Sequence, residues 1–194
     1  MSDGWVNSVI ATDLREKPLR NAQENLERLG ISGVDLRLCD GLSLVNSNEA
    51  DTVIIAGMGG EVIAGIIERA PWLKARGITL ILQAMTSAEA LRDYLADNGF
   101  FIEKEPTLEE NGKVYSVILA RFDGDMRRIS PAFRYVGAVK NITASDKRYI
   151  QKQYIRLNSC AESLKGIEAQ YERYNEYKAA AEQLRQLMEE ENGI

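Results

Sequence analysis

The segment from Asp51 to Gly60 constrains the fold of this chain more than any other part of the sequence. It starts with the near-continuous apolar run Thr-Val-Ile-Ile-Ala and ends with Gly-Met-Gly-Gly. Such a run predicts a parallel strand that is buried on both faces, and the glycines after it predict a tight turn into a helix. In open α/β sheets, ligands bind beyond such strand ends, against the N-terminus of the next helix.

Strand and helix patterns alternate along the first two thirds of the chain. Strands are predicted at 7–12, 34–39, 51–56 and 77–82, and helices at 16–29, 60–70 and 88–98, the last capped by Ser87. Two longer strands, 100–108 and 113–122, flank Asn111-Gly112, which is a strong hairpin signal. This order predicts a Rossmann-like α/β domain over residues 1–124 that is closed by an antiparallel hairpin.

From about residue 143 the apolar side chains follow a helical period. They recur at heptad spacing, first at Ile150, Tyr154, Leu157, Ala161 and Leu164, then in a shifted phase at Tyr171, Tyr174, Tyr177, Ala181, Leu184 and Met188. The phase shift around Gly166 favours two antiparallel helices that turn near 165–169, and one long rod is the alternative. Residues 143–194 are therefore predicted to form a coiled-coil helical domain.

Composition limits the chemistry that the chain can perform. The sequence contains no histidine, which excludes catalytic triads with a histidine base and imidazole metal ligands. The two cysteines, Cys39 and Cys160, argue against a structural zinc site, and we expect them to be reduced in the cytoplasm rather than joined as a disulfide. Any chemistry must rely on carboxylates, backbone amides, tyrosine, lysine or a cofactor.

Charge is spread unevenly over this acidic chain of net charge −5. Residues 125–156 carry eight Lys and Arg against two acidic residues, a local charge of +6, and the stretch 125–142 is predicted to be a basic connector. One interpretation is a polyanion-binding surface. The other, which charge alone favours, is a solvated helix face. The candidate substrate-binding cations are Arg127, Arg128, Arg134, Lys140, Lys147 and Arg148.

Two acidic residues close predicted strands and have two interpretations each. Asp13 can accept hydrogen bonds from a ribose diol, or it can cap the helix that starts near Glu16. Asp40 can accept from an exocyclic amine while Leu42 packs on a ring, or it can belong to an ordinary Asp-Gly turn with Gly41.

Two further candidates follow the next strands. The element Gly57-Met58-Gly59-Gly60 allows close backbone approach by a ligand, although a tight turn without a ligand is the alternative. Gln83 can bind a base edge or satisfy loop backbone. The strand ends at Asp13, Asp40 and Gly57 are expected to meet at one crevice.

These segments, in this order and spacing, resemble the bacterial tRNA adenine-N1 methyltransferase family (TrmK-like), whose members are class I S-adenosylmethionine-dependent enzymes. The motifs are Ala-Thr-Asp13-Leu14, Cys39-Asp40-Gly41-Leu42, the run from Asp51 to Gly60, Leu82-Gln83 and Asn111-Gly112-Lys113-Val-Tyr115. They cover residues 7–122, and the helical tail matches the coiled-coil extension of that family. The Gly-Met-Gly-Gly element is fairly specific, because most adenine methyltransferases carry an Asn/Asp-Pro-Pro-aromatic motif there.

The resemblance implies S-adenosylmethionine as the cofactor and tRNA as the partner, with methylation of N1 of adenosine 22. It implies that Asp13, next to Leu14, binds the ribose of the donor and that Asp40, Gly41 and Leu42 hold its adenine. The segment Gly57-Met58-Gly59-Gly60 would shape the catalytic pocket for a target adenine flipped out of the folded tRNA. Adenine N1 has a free lone pair at neutral pH, so the reaction needs little base, in keeping with the missing histidine.

The chain departs from the family at its start. In this family a first strand and a glycine-rich loop precede the strand that ends at Asp13, whereas only twelve residues precede Asp13 here. The resemblance therefore implies an N-terminally truncated sheet that lacks its first strand, and we expect this chain to bind the donor weakly or not at all. The alternatives are a non-catalytic interaction module with a degenerate α/β scaffold, and a small-molecule methyltransferase.

Overall fold

The computed structural model describes residues 6–75 and 77–189, which divide into two compact units. The first unit contains residues 6–50 and 66–72, and the second contains residues 51–65, 73–75 and 77–189. The ends of the predicted domains, residues 1–5 and 190–194, lie outside the described residues. In the part of the chain that is described, no helix is long and apolar enough to cross a membrane.

The described elements follow the predicted order with two differences: four short strands replace the two predicted around Asn111, and an additional short helix lies in the basic connector. They are β1 (Val9–Asp13), α1 (Glu16–Leu29), β2 (Val34–Leu38), β3 (Thr52–Gly59), α2 (Gly60–Glu68), β4 (Thr79–Thr86), α3 (Ala88–Asp97), β5 (Phe100–Lys104), β6 (Thr107–Glu110), β7 (Lys113–Ser116), β8 (Ile118–Phe122), α4 (Pro131–Val136), α5 (Ala144–Leu164) and α6 (Tyr171–Glu189).

The first unit is built on one parallel strand pair and one helix. β1 and β2 pair in parallel with Asp13 opposite Leu38, so both strands end at the same edge. α1 has the predicted bounds and ends at Gly30, whose φ of +66° suits the left-handed conformation that glycine adopts at helix ends. The Gly30 N–H donates to the Glu27 carbonyl and the Ile31 N–H to the Leu26 carbonyl, which satisfies two of the last carbonyls of the helix.

The second unit contains a four-stranded sheet with the strand order β3-β4-β8-β5. β3 and β4 are parallel, whereas β8 runs antiparallel to both β4 and β5. The predicted antiparallel ending is confirmed, and with it the Rossmann-like class. The sheet buries Leu80, Leu82, Ile118 and Ala120 almost completely.

The predicted burial of β3 on both faces is wrong. Val53 and Ile55 are buried, but Ile54 between them is 68% exposed. β3 is the edge strand of its sheet, and its apolar run is covered on one side only. The strand also continues to Gly59, because Met58 and Gly59 pair with Ala84 and Thr86 of β4, while the register passes over Gly57 on β3 and Met85 on β4.

Two other local predictions need correction. Ser87 occupies the N-cap position of α3, but it has a φ of +52° and its side chain makes no capping hydrogen bond. The two long strands around Asn111 are each broken, so that β6 and β7 form a short hairpin separate from β5 and β8. The break falls at Pro106, which has no N–H to donate to a strand partner, and Val117.

The C-terminal segment forms a helical hairpin, as predicted, and not one long rod. α5 starts with a capping box in which Thr143 and Asp146 satisfy each other's backbone N–H groups. The Asn141 side-chain amide donates to the Leu187 carbonyl at 3.0 Å, which places the start of α5 beside the end of α6. α4 joins this core through Tyr135 and Val136, so the basic connector contains a structural helix.

Candidate functional site

Asp13 lies at the carboxyl end of β1, where one of its oxygens has a structural task. Its Oδ1 accepts a hydrogen bond from the Arg15 N–H at 2.8 Å, which organises the turn into α1. Its Oδ2 has no hydrogen-bond partner among the described residues. Asp13 therefore serves the turn and still presents an acceptor. The next residue, Leu14, is largely exposed.

Asp40 lies beside Asp13 at the same edge of the first unit. The Cys39 N–H donates to the Asp13 carbonyl at 2.9 Å, which extends the β1–β2 pairing to the residue before Asp40. The carboxylate of Asp40 contacts Arg69 Nη2 at 3.3 and 3.4 Å, and both side chains are more than half exposed. An exposed ion pair of this kind contributes little free energy, so a ligand can displace Arg69 readily.

The turn after Asp40 requires glycine. Gly41 has a φ of +55°, and a Cβ at this position would lie 2.9 Å from Ile66 Cγ2. Both conformation and space therefore favour glycine here. Leu42, the third residue of the predicted adenine contact, is half-buried in this turn.

Sequence reasoning missed the clamp that holds the loop after Asp40. The guanidinium of Arg37 donates to the Leu44 carbonyl at 2.5 Å and to both oxygens of Glu49 at 2.7 and 3.1 Å. Hydrogen bonds from Arg37 first, and from Asn46 second, lower the pKa of Glu49 to about 2. Arg37 and Glu49 are twelve residues apart, and no motif signals such a pair.

In the second unit, different causes favour glycine at the end of β3 and at the first residue of α2. Gly57 has a φ of +79°, and a Cβ there would meet nothing within 4 Å, so its surroundings are open. A Cβ at Gly59 would lie 3.2 Å from Thr86 Oγ1, and one at Gly60 would lie 2.1 Å from the Ser87 carbonyl oxygen. Gly60 is thus explained by packing, whereas Gly57 leaves room for an approaching group.

Gln83 lies on β4 next to this glycine segment. Its Oε1 accepts a hydrogen bond from the Gly57 N–H at 2.9 Å. Because an N–H can only be paired with the oxygen of the amide, this contact fixes the orientation of the side chain. The Nε2 group has only a weak acceptor nearby, the Met85 sulfur at 3.6 Å. The amide oxygen of Gln83 therefore binds the backbone of the glycine segment, and its N–H donors face outward.

At least three of the six predicted cations of the basic segment form ion pairs with acids inside the second unit. Arg127 pairs with Asp123, Arg134 with Asp93 and Glu176, and Arg148 with Glu109. Burial alone would lower the pKa of Arg134, but the two carboxylates outweigh it and hold that pKa above its usual value. Arg128, Lys140 and Lys147 have exposed side chains. The excess positive charge is thus much smaller in the fold than in the sequence.

The structure places the predicted site residues in both units. Asp13, Leu14, Asp40, Gly41 and Leu42 belong to the first unit. The segment Gly57–Gly60, Gln83 and the six cations belong to the second. Their convergence on one crevice remains a prediction. Within residues 6–75 and 77–189, no cluster of Cys, Asp and Glu is arranged to hold a metal ion.

The first unit has parallel strands that end at carboxylates, and the second has a glycine-rich junction between a strand and a helix. Both features are typical of Rossmann-like α/β proteins. A comparison with known families agrees with this class. Residues 1–118 match the family described as a methyltransferase domain, and the chain belongs to this family. The Rossmann-like fold class predicted above is confirmed.

More particular similarities fall within one group of enzymes. Over 115 residues the chain is 35% identical to the tRNA (adenine(22)-N(1))-methyltransferase of Bacillus subtilis strain 168. The match covers 59% of this chain and 48% of that protein, so the chain spans about half the length of the curated relative.

Two solved structures are similar over most of their length. The B. subtilis m1A22 tRNA methyltransferase TrmK has a TM-score of 0.79 and 28% identity, and the match covers 93% of this chain and 82% of that one. A candidate tRNA (m1A22) methyltransferase of Streptococcus pneumoniae, in complex with S-adenosyl-L-methionine, has a TM-score of 0.78 and 26% identity, with 96% and 84% covered. These findings confirm the resemblance that the motifs indicate.

Proposed function

We propose that this protein acts in the cytoplasm as a methyltransferase that transfers a methyl group from S-adenosylmethionine to N1 of adenosine 22 in tRNA. The observation that carries the proposal is the contact between Gly57 and Gln83, at the glycine segment to which the family resemblance assigns the target pocket. Gly57 has open space around it, and its contact with Gln83 fixes the direction of the N–H donors of that amide.

In the first unit, Asp13 and Asp40 fit the donor. The free Oδ2 of Asp13 accepts from a ribose hydroxyl, while its Oδ1 keeps the turn in place. Asp40 accepts from the adenine amine after Arg69 moves aside, which an exposed ion pair permits at small free-energy cost. Gly41 and Leu42 lie in the same turn and pack along the ring, and the Arg37–Glu49 clamp holds the loop that follows.

In the second unit, the Gly57–Gln83 edge receives the target base. When bound, S-adenosylmethionine supplies an electrophilic methyl group on a sulfonium centre. The N1 lone pair of adenine is free at neutral pH, so the chain's task is to position the base and exclude water rather than to remove a proton. The outward Nε2 donors of Gln83 select a ring-nitrogen acceptor of the purine, and Gly57 permits close approach.

The tRNA partner requires two further properties of the protein. An adenine inside a folded RNA must be exposed before its N1 can react, and base flipping is the common solution. Phosphates are expected on Arg128 and Lys140, which are exposed and form no ion pair within residues 6–75 and 77–189. Arg127, Arg134 and Arg148 already have carboxylate partners and are expected to contribute less.

Transfer of tritium from S-adenosylmethionine to unmodified tRNA tests the proposal. The assay compares transcripts with adenosine or guanosine at position 22, using this chain and a version to which the first strand and glycine-rich loop of the family are added. Label should enter only the adenosine transcript. Label in neither transcript with either protein would contradict the proposal and favour the non-catalytic module.

A variant of Gln83 sharpens the assay. Gln83→Glu keeps an acceptor for the Gly57 N–H but removes the outward donors, so transfer should fall by about tenfold or more. Gln151→Glu makes the same charge change at an exposed position on α5 and should leave transfer unchanged. Equal activity of the two variants would remove Gln83 from the site.

A further inference from the structure

The second unit has a cleft at the opposite edge of its sheet from the Gly57–Gln83 edge. The cleft has a volume of about 270 Å³ and lies between the start of β5 and the segment that leads into α4. Phe101, Ile102 and Phe133 provide its apolar walls, and Arg127 and Arg128 provide its cationic groups. We propose that this cleft binds one unstacked nucleotide of the RNA substrate, which rests on the proposed function.

One aromatic wall of the cleft is already organised for stacking. The ring of Phe101 is 46% exposed on the edge strand β5, and the guanidinium of Arg127 lies 5.1 Å from its centroid. Arg127 is held there by both oxygens of Asp123, with Nη1 to Oδ1 at 2.9 Å. Hydrogen bonding from Arg127 lowers the pKa of Asp123, so the carboxylate remains charged near neutral pH. Fixed ring and guanidinium planes are common partners of unpaired bases in RNA-binding proteins.

The charges around the cleft decide where a phosphate can lie. Arg127 is compensated by Asp123 and by Asp125, whose carboxylate is 3.8 Å from Nη2. Arg128 is exposed and has no ion pair among the described residues. A phosphate therefore belongs on Arg128, while Arg127 offers its planar face to the base.

The size of the cleft also limits its occupant. Pockets for drug-sized ligands measure about 300–1,000 Å³, so a cleft of about 270 Å³ suits one nucleotide better than a whole cofactor. Its combination of apolar walls and one unpaired cation matches a flat base with an attached anion. A purely apolar ligand would provide no partner for the guanidinium of Arg128 in the cleft.

The register of the sheet places this cleft at some distance from Gln83. Phe101 pairs with Arg121 of β8, which pairs with Thr79 at the start of β4. Gln83 is four residues further along β4, which is about 13 Å at the usual rise per strand residue. A folded RNA is larger than this separation, so one RNA molecule can contact both places.

Binding of adenosine 5′-monophosphate, followed by backbone NMR shifts, tests the cleft directly. We expect clustered shifts at Phe101, Ile102 and Arg128, weaker shifts with adenosine, and none at Phe101 with ribose 5-phosphate. Phe101→Leu should abolish the cluster, whereas Tyr171→Leu, at an exposed position on α6, should keep it. Shifts that are absent, or that survive Phe101→Leu, would overturn the proposal.

Fluorescence anisotropy with a tRNA transcript tests the RNA part. Phe101→Leu should raise Kd about five- to tenfold without changing the salt dependence, because it removes stacking only. Arg128→Ala should weaken binding and reduce the salt slope by about 1, whereas Lys178→Ala on α6 should do neither. Wild-type protein that binds the mononucleotide but no tRNA would overturn both the RNA assignment and the proposed function. Normal tRNA binding by both cleft variants would overturn this inference alone.

Discussion

The two units differ in how their structure is held. In the second unit, α3 buries Leu91 and Leu95 completely against the sheet. In the first unit, α1 has a clear apolar stripe along Leu19, Ala22 and Leu26, yet none of its residues is buried. Helices with similar apolar patterns are thus buried to very different extents. The local pattern predicts that a helix forms, but it does not predict how closely that helix packs.

The ion pairs show the same contrast. Arg92 and Glu105 in the second unit are both fully buried, whereas Asp40 and Arg69 in the first are largely exposed. Arg92 also donates to the Arg134 carbonyl and the Tyr149 hydroxyl, each at 3.0 Å. Burial alone would lower the pKa of Arg92, but Glu105 and Tyr149 outweigh it and raise that pKa. The buried Arg92–Glu105 pair connects strands and helices of the second unit. The exposed Asp40–Arg69 pair remains accessible to a ligand.

The largest effect is expected from Gly137→Ala in the second unit. Gly137 has a φ of +64° and a ψ of −142°, and a Cβ there would lie 1.7 Å from Glu105 Oε2. Because Glu105 is buried and paired, it cannot move aside, and unfolding free energy should fall by more than about 4 kcal/mol. Gly166→Ala is the matched control, since it has a φ of +81° and open space. Urea unfolding should show a loss of only about 1 kcal/mol there, and equal losses would contradict the steric argument.

The next effect concerns the buried pair itself. Arg92→Met leaves Glu105 charged, buried and without its guanidinium, and should reduce stability by about 3–5 kcal/mol in urea unfolding. The double variant with Glu105→Leu removes both charges and should recover a substantial part of that loss. If the double variant were as unstable as the sum of the single variants, the two residues would not be energetically coupled.

The sequence predicts well those features that depend on neighbours along the chain. The end of α1 at Gly30 and the turn at Asn111-Gly112, where both residues have positive φ, are examples of such local features. The turn between α5 and α6 follows from a change of phase in the apolar pattern. Each is decided by a few adjacent residues, so no knowledge of the fold is needed.

Contacts between distant residues could not be predicted in this way. The partners of Arg92 lie 13, 24, 42 and 57 residues away, and Gly57 contacts Gln83 across 26 residues. The excess charge of the basic segment is reduced for the same reason, because Arg134 pairs with Asp93 across 41 residues. Strand ends indicate where candidate site residues lie, but only the fold shows which of their atoms already form hydrogen bonds within the protein.

A smaller effect, dependent on pH, is expected at Asp146 in the second unit. Its carboxylate accepts from Thr107 Oγ1 at 2.5 Å and from the N–H groups of Thr143 and Ile142 at 3.0 and 3.3 Å. Burial alone would raise the pKa of Asp146, but these hydrogen bonds outweigh it and lower that pKa. The stabilisation is therefore present above the unfolded pKa of about 3.9 and is lost as the pH falls through the folded value.

Asp146→Asn tests this account. At pH 7 the variant should be about 1–2 kcal/mol less stable, because an amide cannot accept all three bonds as an anion does. Below about pH 4 the difference between the two proteins should shrink. Urea unfolding at several pH values measures both, and a difference that stays constant down to pH 2 would show that the charge is unimportant.

The smallest effect on stability is expected from Arg69→Gln in the first unit, since its partner Asp40 and the ion pair are exposed. Unfolding free energy should change by no more than about 0.5 kcal/mol. Under the proposed function, however, the variant frees Asp40 for the donor, so calorimetry should show that the weak S-adenosylmethionine binding expected of this chain is strengthened by about two- to fivefold. Asp40→Asn is the opposing control and should weaken binding. If Arg69→Gln weakened binding instead, Arg69 would orient Asp40 rather than compete for it, and the exposed pair would be part of the site.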